Sequence, residues 1–282
     1  MLECLRLYES RNDRLRRESR ISGTSLLRAN KAWTNQRPMS HMIKAISFDF
    51  YNTLVKFLPP LDEIQQAACL ELGINVSKNG INQGYSVADV YFNQENANGP
   101  IALRTEADRL DFFTRYEQMI LESAGVPVSL DLARQIWAIA ISVPKDFTPF
   151  EDVIPALDAL KNKGYRLGVL SNLRRDMQEL CRKLRFADYL EFFISSADAG
   201  AEKPDPAIFL AALEQMSAAP GETVHVGDQY CSDVLGARAV GMHPVLIDRG
   251  GWRETVGDCP KISSLSELKG LLDEAPNSLM TN

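Results

Sequence analysis

Between Ile43 and Phe50 the chain is mostly apolar, with β-branched and aromatic residues, and it stops at the polar cluster Tyr51-Asn52-Thr53. A short run of that kind predicts a buried strand. From about Leu61 to Ile141 the period changes. Leu61, Ile64, Ala68 and Leu72 recur at helical spacing and stop near Gly73, and Leu103 to Ala124 is a long amphipathic stretch. No strand-and-turn alternation interrupts this segment, so it reads as a helical insert.

After Pro149 helix and strand alternate. The pattern predicts a helix over Glu151–Lys163 that stops at Gly164, and a strand over Tyr165–Leu170 that ends at Ser171-Asn172. It then predicts a helix over Asp176–Leu184, a strand over Phe192–Ile194 and a helix from Pro206 to Met216 with proline at its start. Thr223–Val226 reads as a strand ending at Gly227-Asp228, Ser232–Val240 as a helix closed by Gly241, and Pro244–Ile247 as a last strand. Repeated strand–helix units imply an α/β fold, a parallel sheet covered by helices. Ligands of such sheets bind beyond the carboxyl ends of the strands.

Composition narrows the classes. The 282 residues suffice for one sizeable core or two modest ones, and 45% hydrophobic with 24% charged excludes disorder along the whole chain. Lys plus Arg is 31 and Asp plus Glu is 37, a net −6, which offers no general footprint for nucleic acid. No apolar run approaches the ~20 residues of a membrane span. The five cysteines are scattered, without a CxxC pair, so reduced thiols that fill core space are expected rather than a disulfide framework or a zinc site.

The charge is uneven. Residues 1–42 carry nine basic side chains against four acids, about +5, and the remainder carries 22 against 33, or −11. The leading segment lacks the apolar stretch of a secretory signal and reads as a disordered basic extension outside the catalytic part. A cytoplasmic location is expected, or an organelle if that extension is a transit peptide.

Three polar residues fall at ends of expected strands: Asp49, Ser171 and Asp228. Lys203 lies just before a helix, and Asp233 follows Asp228 by five positions. Strand ends converge at one edge of a parallel sheet, so these residues can meet. A carboxylate nucleophile, a hydroxyl, an ammonium and two further acids suit an electrophile with anionic oxygens, with Mg²⁺ as the hard cation. His225, in the apolar triplet Val224-His225-Val226, reads as a strand residue rather than a catalyst.

The same residues resemble the haloacid dehalogenase superfamily of hydrolases. Its first motif, D-x-D-x-T, matches Asp49-Phe50-Tyr51-Asn52-Thr53 except at the third position. Ser171 matches the second motif, Lys203 the third, and Gly227-Asp228-Gln229-Tyr230-Cys231-Ser232-Asp233 the fourth, G-D-x-x-x-x-D. The resemblance implies a Rossmann-like core over 43–58 and 148–273, an inserted α-helical cap over 59–147 and a tail over 274–282. It implies that Asp49 is the nucleophile, and that Asp49, the backbone carbonyl of Tyr51, Asp228 and Asp233 hold Mg²⁺. Thr53, Ser171 and Lys203 would hold phosphoryl oxygens, and Asn172 would shape the same loop.

Tyr51 is the departure. Phosphatases of the superfamily usually carry a second aspartate there, which protonates the leaving oxygen and then activates water. A phenol with a reference pKa of about 10 does neither job well near neutrality. Three readings follow: a Mg²⁺-dependent phosphatase of a small phosphorylated metabolite, a 2-haloacid dehalogenase, and a binding protein on the same scaffold. Tyr51 suits dehalogenation, because halide leaves without a proton. Retention of Asp228 and the lack of any arginine between Asp49 and Arg104 count against it, so the phosphatase reading leads. In the cap, Arg104, Arg109, Arg115 and Tyr116 are expected on a solvated face, and Phe112 and Phe113 in the cap core.

Overall fold

The computed structural model describes residues 42–252 and 258–274. The expected basic extension and the tail therefore lie outside the described residues, apart from Met42 and Glu274. Six parallel strands form the main sheet in the order β5-β4-β1-β6-β7-β8. They are β1 (Ala45–Phe48), β4 (Arg166–Ser171), β5 (Phe192–Ser195), β6 (Thr223–Gly227), β7 (His243–Ile247) and β8 (Lys261–Ile262). β1 lies centrally between β4 and β6, and all four of its residues are buried. Central burial on both faces fits its largely apolar run, in which Ser47 is the polar position.

Side chains alternate between the two faces. Ile46, Phe48, Leu167, Val169, Val224 and Val226 join one apolar cluster, which the helix Val153–Asn162 and its neighbours cover. Ala45, Leu170 and Ile194 join another, under the helix Pro206–Met216. After Pro149 expected helices and strands match the observed ones to within one or two residues, with one change of type, and the expected stretch Leu103–Ala124 is a helix over Glu106–Ser123. The expected helix Ser232–Val240 begins as a π-helical turn, Tyr230–Val234, and continues as a short helix, Leu235–Ala239.

The insert comprises four main helices: α1 (Leu61–Glu71), α2 (Lys78–Asn98), α3 (Glu106–Ser123) and α4 (Leu130–Ser142). They share an apolar cluster of their own, from Ile64 through Ile136 to Ala140. α2 crosses α3 so closely that a Cβ on Gly84 would lie 2.2 Å from the carbonyl oxygen of Ile120. Two strands absent from the sequence reading join the insert to the sheet. β2 (Val55–Leu58) and β3 (Asp146–Pro149) pair antiparallel, so the chain leaves and returns through one narrow ribbon. Phe57 stacks on Phe147 across it, with ring centroids 4.8 Å apart.

Cys69, Cys181 and Cys259 are free thiols. Cys231 is disulfide-bonded, so the expectation of reduced thiols fails at that position. No helix among the described residues is long and apolar enough to cross a membrane.

Candidate active site

Asp49 is the first residue beyond β1, and its amide still donates to the carbonyl of Val226 at 2.8 Å. The sheet ladder thus fixes the backbone that carries this carboxylate. A tight turn follows. The Leu54 and Val55 amides donate to the Phe50 carbonyl, and Asn52 takes φ +60°, which asparagine tolerates better than most residues. Thr53 is fully buried in this turn, and its hydroxyl has no hydrogen-bond partner among the described residues. Its carbonyl accepts from Arg249 Nε and Nη2, at 3.1 and 2.7 Å.

Lys203 is the centre of the arrangement. It is buried, and its ammonium donates to Asp49 Oδ1 at 2.5 Å and to Asp233 Oδ1 at 2.6 Å. Asn172 clamps its backbone twice: Oδ1 accepts the Lys203 amide at 2.7 Å and Nδ2 donates to the Lys203 carbonyl at 3.1 Å. The Asn172 side chain is therefore spent on positioning Lys203. Ser171, the last residue of β4, accepts the Leu173 amide at 3.2 Å.

Asp233 reaches the site because the π-helical turn folds back over the end of β6. A Cβ on Gly227 would lie 2.2 Å from Asp233 Cγ, so the approach requires glycine there. Asp233 Oδ2 also accepts the Gln229 amide at 2.9 Å. His225 completes the set, and the sequence reading missed it. It points to the face opposite Val224 and Val226, with Nε2 3.1 Å from Asp233 Oδ1 and Nδ1 2.8 Å from Ser47 Oγ. Burial holds the ring below its ordinary pKa, so it is neutral. An ionised Asp233 only accepts, which assigns the proton to Nε2 and leaves Nδ1 to accept from Ser47. The signal in the sequence was a pair of polar residues, Ser47 and His225, in register on adjacent strands.

The electrostatics are those of a crowded acidic site. Oxygen atoms of Asp49, Asp228 and Asp233 all lie within 4.8 Å of one another, and all three residues are buried. Burial pushes the Asp49 carboxyl up to about 6, against the pull of Lys203, so it remains ionised at neutral pH. Burial also opposes ionisation of Asp233, but Lys203 and the His225 hydrogen bond hold it well below the usual carboxylate range. Lys203 is held above its ordinary value by both acids despite its own desolvation. Among the described residues, the Lys203 ammonium holds two of these carboxylates. The all-oxygen donor set of the three fits a hard divalent cation.

A cavity of about 500 Å³ opens above this floor. Asp228 and Tyr51 belong to its wall, together with Lys56, Arg249 and Trp252 from the core side. Tyr51 is half-buried and packs on Phe57, ring centroids 4.9 Å apart. The insert supplies the roof, including Asp62, Asn82, Tyr85, Asp89 and Tyr116. Tyr116 was expected on a solvated face. It is instead 9% exposed and lines the cavity, because α3 turns that face toward α2 and the site. Phe112 is buried in the insert's core as expected, and Phe113 stacks on Trp137. Roof and floor are also latched. Asn96 Nδ2 donates to Glu202 Oε2 at 2.6 Å, Ser232 Oγ to Asn93 Oδ1 at 3.3 Å, and Asn93 Nδ2 to Gln229 Oε1.

Comparison with known proteins agrees with this geometry. The haloacid dehalogenase-like hydrolase family matches residues 43–241. The chain is 30% identical over 217 residues to human haloacid dehalogenase-like hydrolase domain-containing protein 3, which covers 74% of this chain and 84% of that one. It is 26% identical over 212 residues to a ribulose-1,5-bisphosphate 5-phosphatase of Halopiger xanaduensis, covering 73% of this chain and 85% of that one. Among solved structures, the L-2-haloacid dehalogenase of Xanthobacter autotrophicus superposes with a TM-score of 0.52 at 20% identity, over 82% of this chain and 99% of that one. The last likeness speaks for the fold alone, on which both chemistries occur. With its strand-end carboxylates, its buried lysine and a family match over most of its length, the chain belongs to the haloacid dehalogenase-like hydrolases.

Proposed function

We propose that this hydrolase is a Mg²⁺-dependent phosphatase of a small phosphorylated metabolite. The observation that carries the reading is the buried Lys203 ammonium between Asp49 and Asp233, beside a third carboxylate, Asp228. Such a cluster attracts a dianionic phosphoryl group only when its own negative charge is offset. Relatives whose names state phosphatase activity on ribulose-1,5-bisphosphate and glyceraldehyde 3-phosphate support the same substrate class.

In this reading Asp49 attacks phosphorus and forms an aspartyl-phosphate, which water then hydrolyses. Lys203 orients the Asp49 carboxylate and balances charge as the phosphoryl group arrives. The hydroxyls of Thr53 and Ser171 donate to phosphoryl oxygens, and the unpartnered Thr53 hydroxyl gains an acceptor. Asp49, the Tyr51 carbonyl and Asp228 would hold Mg²⁺, with Asp233 acting mainly by fixing Lys203. Bound there, the cation supplies charge neutralisation between nucleophile and substrate. The insert acts as a cap that shields the aspartyl-phosphate from bulk water until the leaving group departs.

The test is phosphate release from a panel of phosphomonoesters and acyl phosphates, with Mg²⁺ and with EDTA, using Asp49→Asn as control. Metal-dependent release that the control abolishes is expected. One observation favours a second reading: Tyr51 stands where a proton donor would serve a poor leaving group, and halide needs none. Chloride release from 2-chloropropionate without phosphate release from any ester would replace the first reading with that one.

A further inference from the structure

Lys56 stands on β2, with its Cα paired to that of Thr148 across the ribbon. Its neighbour Val55 is buried, whereas Lys56 itself is half-buried and lines the cavity. The ammonium sits over the ring of Phe150, Nζ 5.5 Å from the centroid. Among the described residues it makes no hydrogen bond or ion pair besides that contact. Lys44 and Lys78 by contrast end on carboxylates, Glu222 and Glu63, each at 2.8 Å. An aromatic face attracts a cation, yet it leaves the three N–H donors of an ammonium for oxygen acceptors.

Lys56 is tied to the floor by short contacts. The Phe150 ring is shared: Arg249 lies against it, Cζ 3.9 Å from the centroid, and the same guanidinium donates to the Thr53 carbonyl at 2.7 Å. The turn between Asp49 and β2 is tight as well, since the Asn52 amide donates to the Val55 carbonyl at 2.8 Å. Lys56 therefore follows directly on the turn that carries the unpartnered Thr53 hydroxyl. A cavity of about 500 Å³ is filled by one small metabolite, so a ligand whose phosphoryl group meets that hydroxyl has Lys56 beside its remainder. The other charged groups of the wall are engaged. Arg249 also donates to Asp152 at 3.0 Å, and Asp248 pairs with Lys261 at 2.6 Å. Asp62 accepts from Asn82 Nδ2 at 3.2 Å and Asp89 from the Tyr116 hydroxyl at 2.7 Å, while Asp228 belongs to the cluster that fits a cation.

We propose that Lys56 is a specificity residue that receives a second anionic group of the substrate, a carboxylate or a phosphate, remote from the ester being cleaved; this rests on the phosphatase reading above. The substrate class is thus a short-chain phosphate monoester that carries another anion. Its second anion replaces water around the half-buried ammonium and takes the donors that Phe150 leaves open. A neutral remainder gains nothing there, and a cationic one is repelled. Lys56 contributes the same contact before and during phosphoryl transfer, so it acts on KM and leaves kcat unchanged.

The test compares substrates in pairs, with Mg²⁺: 3-phosphoglycerate against glycerol 3-phosphate, and fructose 1,6-bisphosphate against fructose 6-phosphate. The parent should show the lower KM for the member with the second anion in at least one pair, and which pair it is separates carboxylate from phosphate. Lys56→Met should raise that KM by about 10- to 100-fold at unchanged kcat, the loss of a hydrogen bond between charged groups. The partner substrate should stay within a few-fold of the parent, which also shows that the variant is folded. Lys56→Arg should keep most of the preference, and Lys56→Glu should turn it toward phosphoethanolamine. A parent without preference in either pair, or a Lys56→Met variant that changes all substrates equally or only kcat, would overturn the assignment while leaving the phosphatase reading intact. A parent that releases phosphate from none of these substrates would overturn both.

Discussion

The floor and the roof of the cavity are built by different rules. On the floor, charged groups stand at the ends of buried strands and are held by one another: Lys203 by two carboxylates, Asp233 by three donors. The roof comes from helices, and its polar groups are mostly phenols and amides set among apolar side chains, with Asp89 on Tyr116 and Glu117 on Gln65. A strand end delivers one residue to one place, whatever the sequence around it. A helix face is shared among positions three and four apart, and its neighbours decide which of them matter. The floor is therefore held by cross-linked charges, whereas the roof is held mainly by apolar packing.

The largest effect that separates the two is expected at Lys203. Replacing it by methionine removes the ammonium that holds the buried carboxylates of Asp49 and Asp233. That substitution should lower kcat by at least about 10³-fold on every substrate, since it removes a preorganised charge at the reacting centre. Breaking a buried ion pair also costs on the order of 3–5 kcal/mol, so the midpoint of urea denaturation should fall. Roof substitutions should instead alter the ranking among substrates. If Lys203→Met changes only that ranking, the division between floor and roof is wrong.

This difference also explains what could be read in the chain. Asp49, Ser171 and Asp228 were legible because each ends a buried apolar run, Asp233 by its spacing from Asp228, and Lys203 by its place just before a helix and its match to a family motif. His225 was not, because its role depends on Ser47 lying beside it in register on another strand, and register does not show in one segment alone. The β2–β3 ribbon escaped notice because each strand has four residues and they pair across the whole insert. Tyr116 and Asp89 were hidden for a third reason. Both lie on helices with polar residues on several faces, and only the packing of α2 against α3 shows which face meets the cavity.

A smaller effect is expected inside the roof. Glu117 is 1% exposed, and burial pushes its carboxyl from an ordinary 4.5 up to about 8, against the pull of the Gln65 hydrogen bond. Below about 4.5 folded and unfolded chains both hold this proton. Between about 4.5 and about 8 the unfolded chain has released it and the folded one has not, so stability falls as pH rises, by at most ~1.4 kcal/mol per unit. Glu117→Gln keeps the shape and removes the titration. Unfolding free energies at pH 5 and pH 8 should show the parent losing on the order of 3 kcal/mol more than the variant. Parallel losses in the two proteins would mean that Glu117 is ionised in the fold.

The smallest effect tests whether the roof's stability can be tuned apart from its chemistry. Three of its helices start on a side-chain cap: Ser77 accepts the Gly80 amide, Thr105 the Asp108 amide and Ser129 the Leu132 amide. Thr105 stands at the start of α3, the helix that carries Tyr116 and Glu117, yet it does not line the cavity. Its hydroxyl also donates to Asp108 Oδ2 at 2.7 Å, in a largely exposed setting. Thr105→Ala removes one helix-end acceptor and should cost about 1 kcal/mol. Because α3 is held along its length by packing on α2 and α4, that loss should fray the first turn without shifting Tyr116. The variant should therefore unfold at lower urea while kcat and KM stay at the parent values. A change in KM at unchanged kcat would show that fraying travels along α3 to the cavity, and that roof stability and substrate binding are coupled after all.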